Sequence, residues 1–213
     1  MTIQPDKLIR NSIWRRIGYL LISLIALLLL LTIYIYITEV PTEEKLKNPD
    51  IKLDSKLYDS RGNLIGLYQT EYRSLITYDE INPFVKRCLI AVEDARFYEH
   101  NGIDYKALGR VLVKSLLMQD KESGGGSTIT QQLAKQLFPR PNTHNSHWLK
   151  GSYFLLKSKI KEWIIALKLE NIYTKEEIMT MYLNKFEFIN GAHGIDAAAK
   201  TYFDKPQDEL NMA

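Results

Sequence analysis

The chain has 213 residues, enough for one ordinary domain with accessories. Its formal net charge is +3, and the excess sits at the start, where Lys7, Arg10, Arg15 and Arg16 face only Asp6. The remainder is balanced, so composition gives no support to nucleic-acid binding; the lone Cys88 rules out an internal disulfide framework, and four scattered histidines lack metal-ligand spacing.

Residues 17–37 read IGYLLISLIALLLLLTIYIYI, without a charge. At the helical rise they span about 31 Å, the thickness of a bilayer core. Tyr34 and Tyr36 stand at one end, as in an aromatic belt, and the basic residues precede the span. This predicts a cytoplasmic tail (1–16), a single transmembrane anchor (17–37) and an extracytoplasmic remainder. A cleaved leader would have a shorter apolar core and a small-residue cleavage site; Thr38-Glu-Val-Pro follows instead. Residues 38–56 are polar, contain Pro41 and Pro49, and read as a linker. From Leu57 to Tyr68, strand-like residues flank Arg61-Gly-Asn63, which predicts a β-hairpin.

Asn82-Pro83 is a helix start, with a capping side chain followed by proline at the first helical position. The helix is expected to run to about Asp94. Phe84, Cys88, Ala91 and Ala95 form its apolar stripe, with Cys88 as a buried structural thiol. Glu93 and Asp94 close this helix. A carboxylate at a helix C-terminus beside apolar side chains suits a general acid or base; an ordinary solvated pair is the alternative.

Asp104 is expected to cap a helix over Tyr105–Met118. Three glycines then lead to a helix starting near Ser127 or Thr128. On a helical wheel Thr128, Gln131, Gln132 and Lys135 form a polar stripe beside the apolar Ile129, Leu133 and Leu137. A glycine-rich loop, a helix N-terminus and a lysine suit a phosphate or sugar ligand; a solvated helix face is the alternative. Pro139–Trp148 reads as a loop with His144 and His147 exposed. A long helix follows over Leu149–Tyr173, with Lys159, Glu162, Ala166 and Glu170 on one face. For Lys159 and Glu162 a salt-bridged surface pair is an open alternative. Thr174-Lys-Glu-Glu177 is a capping box opening a helix to about Asn184, and Ile195–Phe203 is a short Ala-rich helix.

These stretches together resemble the family 51 glycosyltransferases, the bacterial peptidoglycan glycosyltransferases, and most of all the N-terminal part of bifunctional class A penicillin-binding proteins. The first motif is Glu93-Asp94-x-x-Phe97-x-x-His100-x-Gly102. The second is Gly126-Ser127-Thr128-Ile129-x-Gln131-Gln132-x-x-Lys135. The third is Lys159-x-x-Glu162-x-x-x-Ala166-x-x-Leu169-Glu170. The fourth is Tyr182-Leu183-Asn184, followed by Gly194 and Ala198-Ala199-x-x-Tyr202-Phe203. Ser158 departs from the pattern, which has arginine before the third-motif lysine; Lys157 and Lys161 are the substitutes at hand. The resemblance also expects a further helical segment beyond the last one here, so residues 57–213 read as a C-terminally truncated domain.

The resemblance implies a mainly α, lysozyme-like glycosyltransferase domain with a small β-hairpin, behind one transmembrane helix. It implies polymerisation of lipid II into glycan strands with inversion and release of undecaprenyl diphosphate, for cell-wall biogenesis and cell shape. Glu93 is then the catalytic base and Glu162 the second catalytic carboxylate. Asp94, Ser127, Thr128, Gln131, Gln132, Lys135 and Lys159 bind substrate, while Phe97, His100 and Gly102 give structural support. A divalent cation, magnesium or manganese, is allowed at the diphosphate without being required. Expected partners are lipid II, the growing strand, the membrane, a cell-wall synthesis complex and a transpeptidase domain absent from these residues. The location implied is the bacterial inner membrane, single-pass, with the catalytic domain periplasmic. Two alternatives stand beside this reading: a lysozyme-like glycan hydrolase, and a catalytically impaired, membrane-anchored interaction module.

Overall fold

A computed structural model describes residues 5–48, 55–61, 64–68, 72–73, 75–117, 125–140 and 148–211. The chain divides into two units, residues 1–40 and 41–213. The first is the helix α1 (Pro5–Thr38). Its part Ile13–Thr38 is 26 residues long and apolar enough to cross a membrane. The hydroxyls of Thr32 and Thr38 donate to carbonyls four residues back, at 2.8 Å each. Their polar groups are thereby satisfied within the helix, as a lipid environment demands.

The second unit is mainly α. Within the expected linker a short helix, α2 (Glu43–Lys47), forms. Leu46 is fully buried, and the Tyr173 hydroxyl donates to the carbonyls of Leu46 and Lys47. The predicted hairpin is present: β1 (Ser55–Tyr58) pairs antiparallel with β2 (Leu64–Tyr68). A second, parallel pair joins β3 (Tyr72–Arg73) to β4 (Ala192–His193). Two-residue strands paired across that distance leave no periodic signal in the sequence.

Helix α3 (Pro83–Glu93) begins as predicted, with the Asn82 side chain accepting the Phe84 amide at 2.8 Å. The same Asn82 amide donates to the carbonyls of Gln207, Asp208 and Leu210, tying the start of α3 to the end of the chain. The predicted stripe is corrected. Val85 is the buried residue of α3, while Cys88 and Ala91 are exposed. Helix α4 (Tyr105–Leu117) is capped by Asp104, whose Oδ1 accepts the Ala107 amide at 2.9 Å.

The core is built on α5 (Ile129–Leu137), which packs against α6 (Trp148–Ile172) and α7 (Lys175–Lys185). Ile129 and Leu133 meet an interior that also buries Ile165, Ala166, Leu169, Ile178 and Met179. Removing such side chains from water stabilises the fold by about 1.5–3 kcal/mol each. The capping box at Thr174 and Glu177 is formed in both directions. The polar contacts between these helices are equally specific. Thr130 Oγ1 donates to Glu170 Oε1 at 2.6 Å, and Lys175 Nζ donates to the same oxygen at 2.8 Å. Helix α8 (Ile195–Phe203) buries Ala197 and Ala198 against Ala192 and Phe188. The expectation for His144 and His147 lies outside the described residues.

Candidate active site

The first motif folds as a knot beneath α5. Phe97 is fully buried, His100 stands edge-on to its ring, and Lys175 Nζ lies 4.5 Å above the ring centre. Gly102 has φ +82°, and a Cβ there would come within 3.0 Å of the Ala166 backbone. Only glycine takes this conformation so close to α6 without strain. The Gly102 carbonyl accepts from Thr128 Oγ1 at 2.7 Å and from Gln131 Nε2 at 3.0 Å. Asp94 accepts from His100 Nε2 at 3.0 Å and from the Ile129 amide at 3.1 Å. A carboxylate only accepts, so His100 carries its proton on Nε2. The charge of Asp94 also faces the positive end of α5.

This geometry revises the polar stripe expected along the second motif. Thr128 and Gln131 are 2% and 1% exposed, with side chains turned inward on Gly102. Asp94 is equally enclosed. In the structure all three brace the first motif against α5. A helical wheel cannot distinguish a polar face toward solvent from one toward a buried carbonyl. Lys135 does reach the surface, as do Gln132 and Ser127 in part.

Glu93 is exposed at the end of α3. Its Oε2 accepts from Gln132 Nε2 at 2.7 Å, and Gln132 Oε1 accepts from the Tyr182 hydroxyl at 3.1 Å. Burial, followed by the charge of Glu93, raises the pKa of Tyr182, so this hydroxyl remains a donor. Glu93 also lines two hollows. One is a polar cleft of about 50 Å³ shared with Arg110 and Gly125–Thr128. The other is an apolar cavity of about 510 Å³, bounded by Cys88, Val92, Phe186 and Phe203 among others.

On the far side of the glycine-led loop, Ser127 Oγ accepts from Lys159 Nζ at 2.7 Å. Lys159 also lies 3.2 Å from Glu162 Oε2. Glu162 is buried, so the pair is not the solvated surface bridge left open above. Its other oxygen accepts from Arg140 Nε and Nη2 at 2.8 and 2.7 Å. Arg140 was not anticipated. It lies 22 positions before Glu162, and only the fold brings the two together.

The residues at Glu162 do not fit the divalent cation that the resemblance allows there. Both carboxylate oxygens are engaged by cationic side chains, which would repel a dication at that point. Asp94, His100 and Asp104 also bring ligand atoms within 4.8 Å of one another. There Arg96 Nη2 already lies 2.7 Å from Asp104 Oδ2, and Asp94 is satisfied as described.

A mainly α domain carries a helix-end glutamate over a glycine-led cleft, with a lysine beyond it. The chain belongs to the transglycosylase family, which matches residues 61–213. It is 42% identical over 159 residues to penicillin-binding protein 1F of Bacillus subtilis, covering 75% of this chain and 21% of that protein. It is 36% identical over 181 residues to penicillin-binding protein 1A of Escherichia coli, covering 84% of this chain and 20% of that one. A biosynthetic peptidoglycan transglycosylase of Nitrosomonas eutropha is 42% identical over 135 residues, covering 63% of this chain and 50% of its own length. The chain therefore spans between a fifth and a half of the length of these relatives.

Proposed function

We propose that this chain is a peptidoglycan glycosyltransferase that polymerises lipid II for cell-wall synthesis. Family membership supports the reaction class, and the observation that carries the site is the single cleft lined by both Glu93 and Ser127. Glu93 is the general base: it takes the proton from the 4-hydroxyl of the incoming lipid II as that oxygen attacks the anomeric carbon of the growing strand. A sugar hydroxyl is a weak nucleophile at neutral pH, so a positioned base lowers the barrier. The Gln132 amide fixes the direction of the carboxylate. The bond to undecaprenyl diphosphate breaks from the opposite face, which gives inversion.

The leaving diphosphate needs positive charge more than it needs a proton. Lys159, with the Ser127 hydroxyl on its ammonium, and the exposed Lys135 provide donors for it. Glu162 holds Lys159 in place. In the same reading α1 anchors the protein in the cytoplasmic membrane with its basic end inside, so the domain meets a lipid-linked substrate at the outer surface. Its partners are then the membrane, lipid II and the growing strand.

The test is incubation of the full chain, in detergent, with purified lipid II. The expected product is glycan polymer, and Glu93→Gln slows its formation by about a hundredfold or more. Cleavage of preformed glycan without polymer formation overturns this reading.

A further inference from the structure

We propose that the outer face of α4 binds the carboxylate-bearing peptides of the glycan strand as the strand leaves the catalytic cleft. The inference rests on the glycosyltransferase reading and gives that site an interaction surface outside its four motifs.

The helical period sorts the residues of α4 onto two sides. Ala107 is buried, and Leu108 and Val111 pack against Gly126 of the glycine-led loop. Lys106, Arg110 and Lys114 are exposed. They recur every four residues, so successive ones stand about 6 Å apart along the axis and about 40° apart around it. None of the three has an ion-pair or hydrogen-bond partner among the described residues, and α4 contains no acidic residue. Elsewhere exposed lysines are paired one turn away, Lys47 with Glu43 and Lys200 with Asp196. Like charges at this spacing repel one another and destabilise the helix that carries them. Of the carboxylates bordering this end of α4, Asp104 is held by Arg96, and Glu99 lines the same hollow as Lys106 without pairing with it.

The row of cations begins at the site of chemistry. Arg110 lines the polar cleft that holds Glu93. Lys106 lines a hollow of about 170 Å³ with Tyr105 and His100. Arg96 and Asp104 border both spaces, which are therefore neighbours. A strand that leaves the cleft over the Arg96–Asp104 pair runs along the cations.

Gly109 adds a second observation. It is exposed, and it lies between Tyr105 and Val113, which are 73% and 55% exposed. Glycine inside a helix costs stability relative to alanine. No packing demands it here, since a Cβ would meet nothing within 4 Å. The missing side chain leaves a notch in which a sugar ring can lay its apolar face on the tyrosine. A peptidoglycan strand is a sugar chain bearing short peptides with free carboxylates. It thus matches both the notch and the unpaired cations beside it. A lipid surface fits less well. A helix lying in a bilayer interface inserts several large apolar side chains, whereas the described residues of this face offer Tyr105 and Val113.

The test uses the full chain in neutral detergent and fluorescently labelled glycan strands, either bearing their peptides or stripped of them by an amidase. Anisotropy reads the binding. The wild-type chain is expected to hold peptide-bearing strands more tightly, by a margin that shrinks as salt is raised. Lys106→Ala combined with Lys114→Ala is expected to weaken that binding about two- to thirtyfold, the range for two exposed ion pairs. The initial rate of lipid II polymerisation and the binding of stripped strands are expected to stay at the wild-type level. Gly109→Leu is expected to raise the thermal midpoint, because leucine favours helix, and yet to weaken binding of both kinds of strand. Wild-type binding of peptide-bearing strands in either variant, in a chain that polymerises lipid II, overturns this inference alone. So does a polymerisation rate that rises with the phosphatidylglycerol content of vesicles in the wild type but not in the double variant, with strand binding unchanged; the cations then serve a lipid surface. A wild-type chain that makes no polymer from lipid II overturns both this inference and the reading beneath it.

Discussion

Gln132 donates to Glu93 across 2.7 Å, and so fixes the direction of an exposed carboxylate that faces both the polar cleft and the apolar cavity. The amide is itself held by the Tyr182 hydroxyl. A helix-end carboxylate would otherwise rotate freely, and a base works only within reach of its proton. Gln132→Ala is therefore expected to slow lipid II polymerisation about tenfold. Tyr182→Phe removes only the outer bond, and a loss of about two- to fivefold is expected. Initial rates at saturating substrate measure both. A Gln132→Ala chain with the wild-type rate shows that the contact does not orient the base.

Gly102 is the point of closest approach of the first motif to α6 that only glycine fits. Gly102→Ala adds a Cβ within 3.0 Å of the Ala166 backbone at a φ of +82°. Backbone atoms of a packed helix have no room to yield. The expected cost is about 2–3 kcal/mol, read as a lower denaturation midpoint with an unchanged slope.

Glu170 is 5% exposed in its side chain, and Lys175 lies 2.8 Å away. The same ammonium donates to the His100 carbonyl at 2.6 Å, so it joins α6, α7 and the first motif. Lys175→Met leaves a buried carboxylate with, among the described residues, only Thr130 as a partner. A loss of about 3 kcal/mol is expected in chemical denaturation. Adding Glu170→Gln is expected to restore part of it, because the amide carries no unpaired charge.

Burial acts to raise the pKa of Asp104, but the Ala107 amide and the Arg96 guanidinium outweigh it and hold the carboxyl below its ordinary 3.8. The unfolded chain therefore binds this proton more tightly than the folded one. The resulting stability is present above the unfolded value and fades as pH falls through the lower folded value. Asp104→Asn is expected to flatten the dependence of thermal stability on pH below about 4. A wild-type slope in that variant shows that other carboxylates dominate acid unfolding.

The ends of the helices were legible because they are local chemistry. Asn82-Pro83, Asp104 and the Thr174–Glu177 box each satisfy amides within a few residues, and each caps the helix predicted for it. The buried face of α3 was less legible. Its stripe looked continuous through Cys88 and Ala91, whereas Val85 is the residue that faces the interior. Periodicity locates an apolar arc, but the neighbouring elements decide which part of that arc they cover.

By itself the sequence determined a charge-free span long enough for a bilayer and the order of the helices, and its resemblance to a family named the motif residues to be brought together. Helix starts and caps depend on neighbours within one or two turns. Only the tertiary structure decided what those residues face. It turned Thr128 and Gln131 onto the Gly102 carbonyl, placed Gln132 on Glu93, and joined Arg140 to Glu162. The physical reason is that a polar side chain is indifferent to water, a buried carbonyl or an opposite charge until packing removes the water. Which partner remains is then fixed by residues that are distant in the chain.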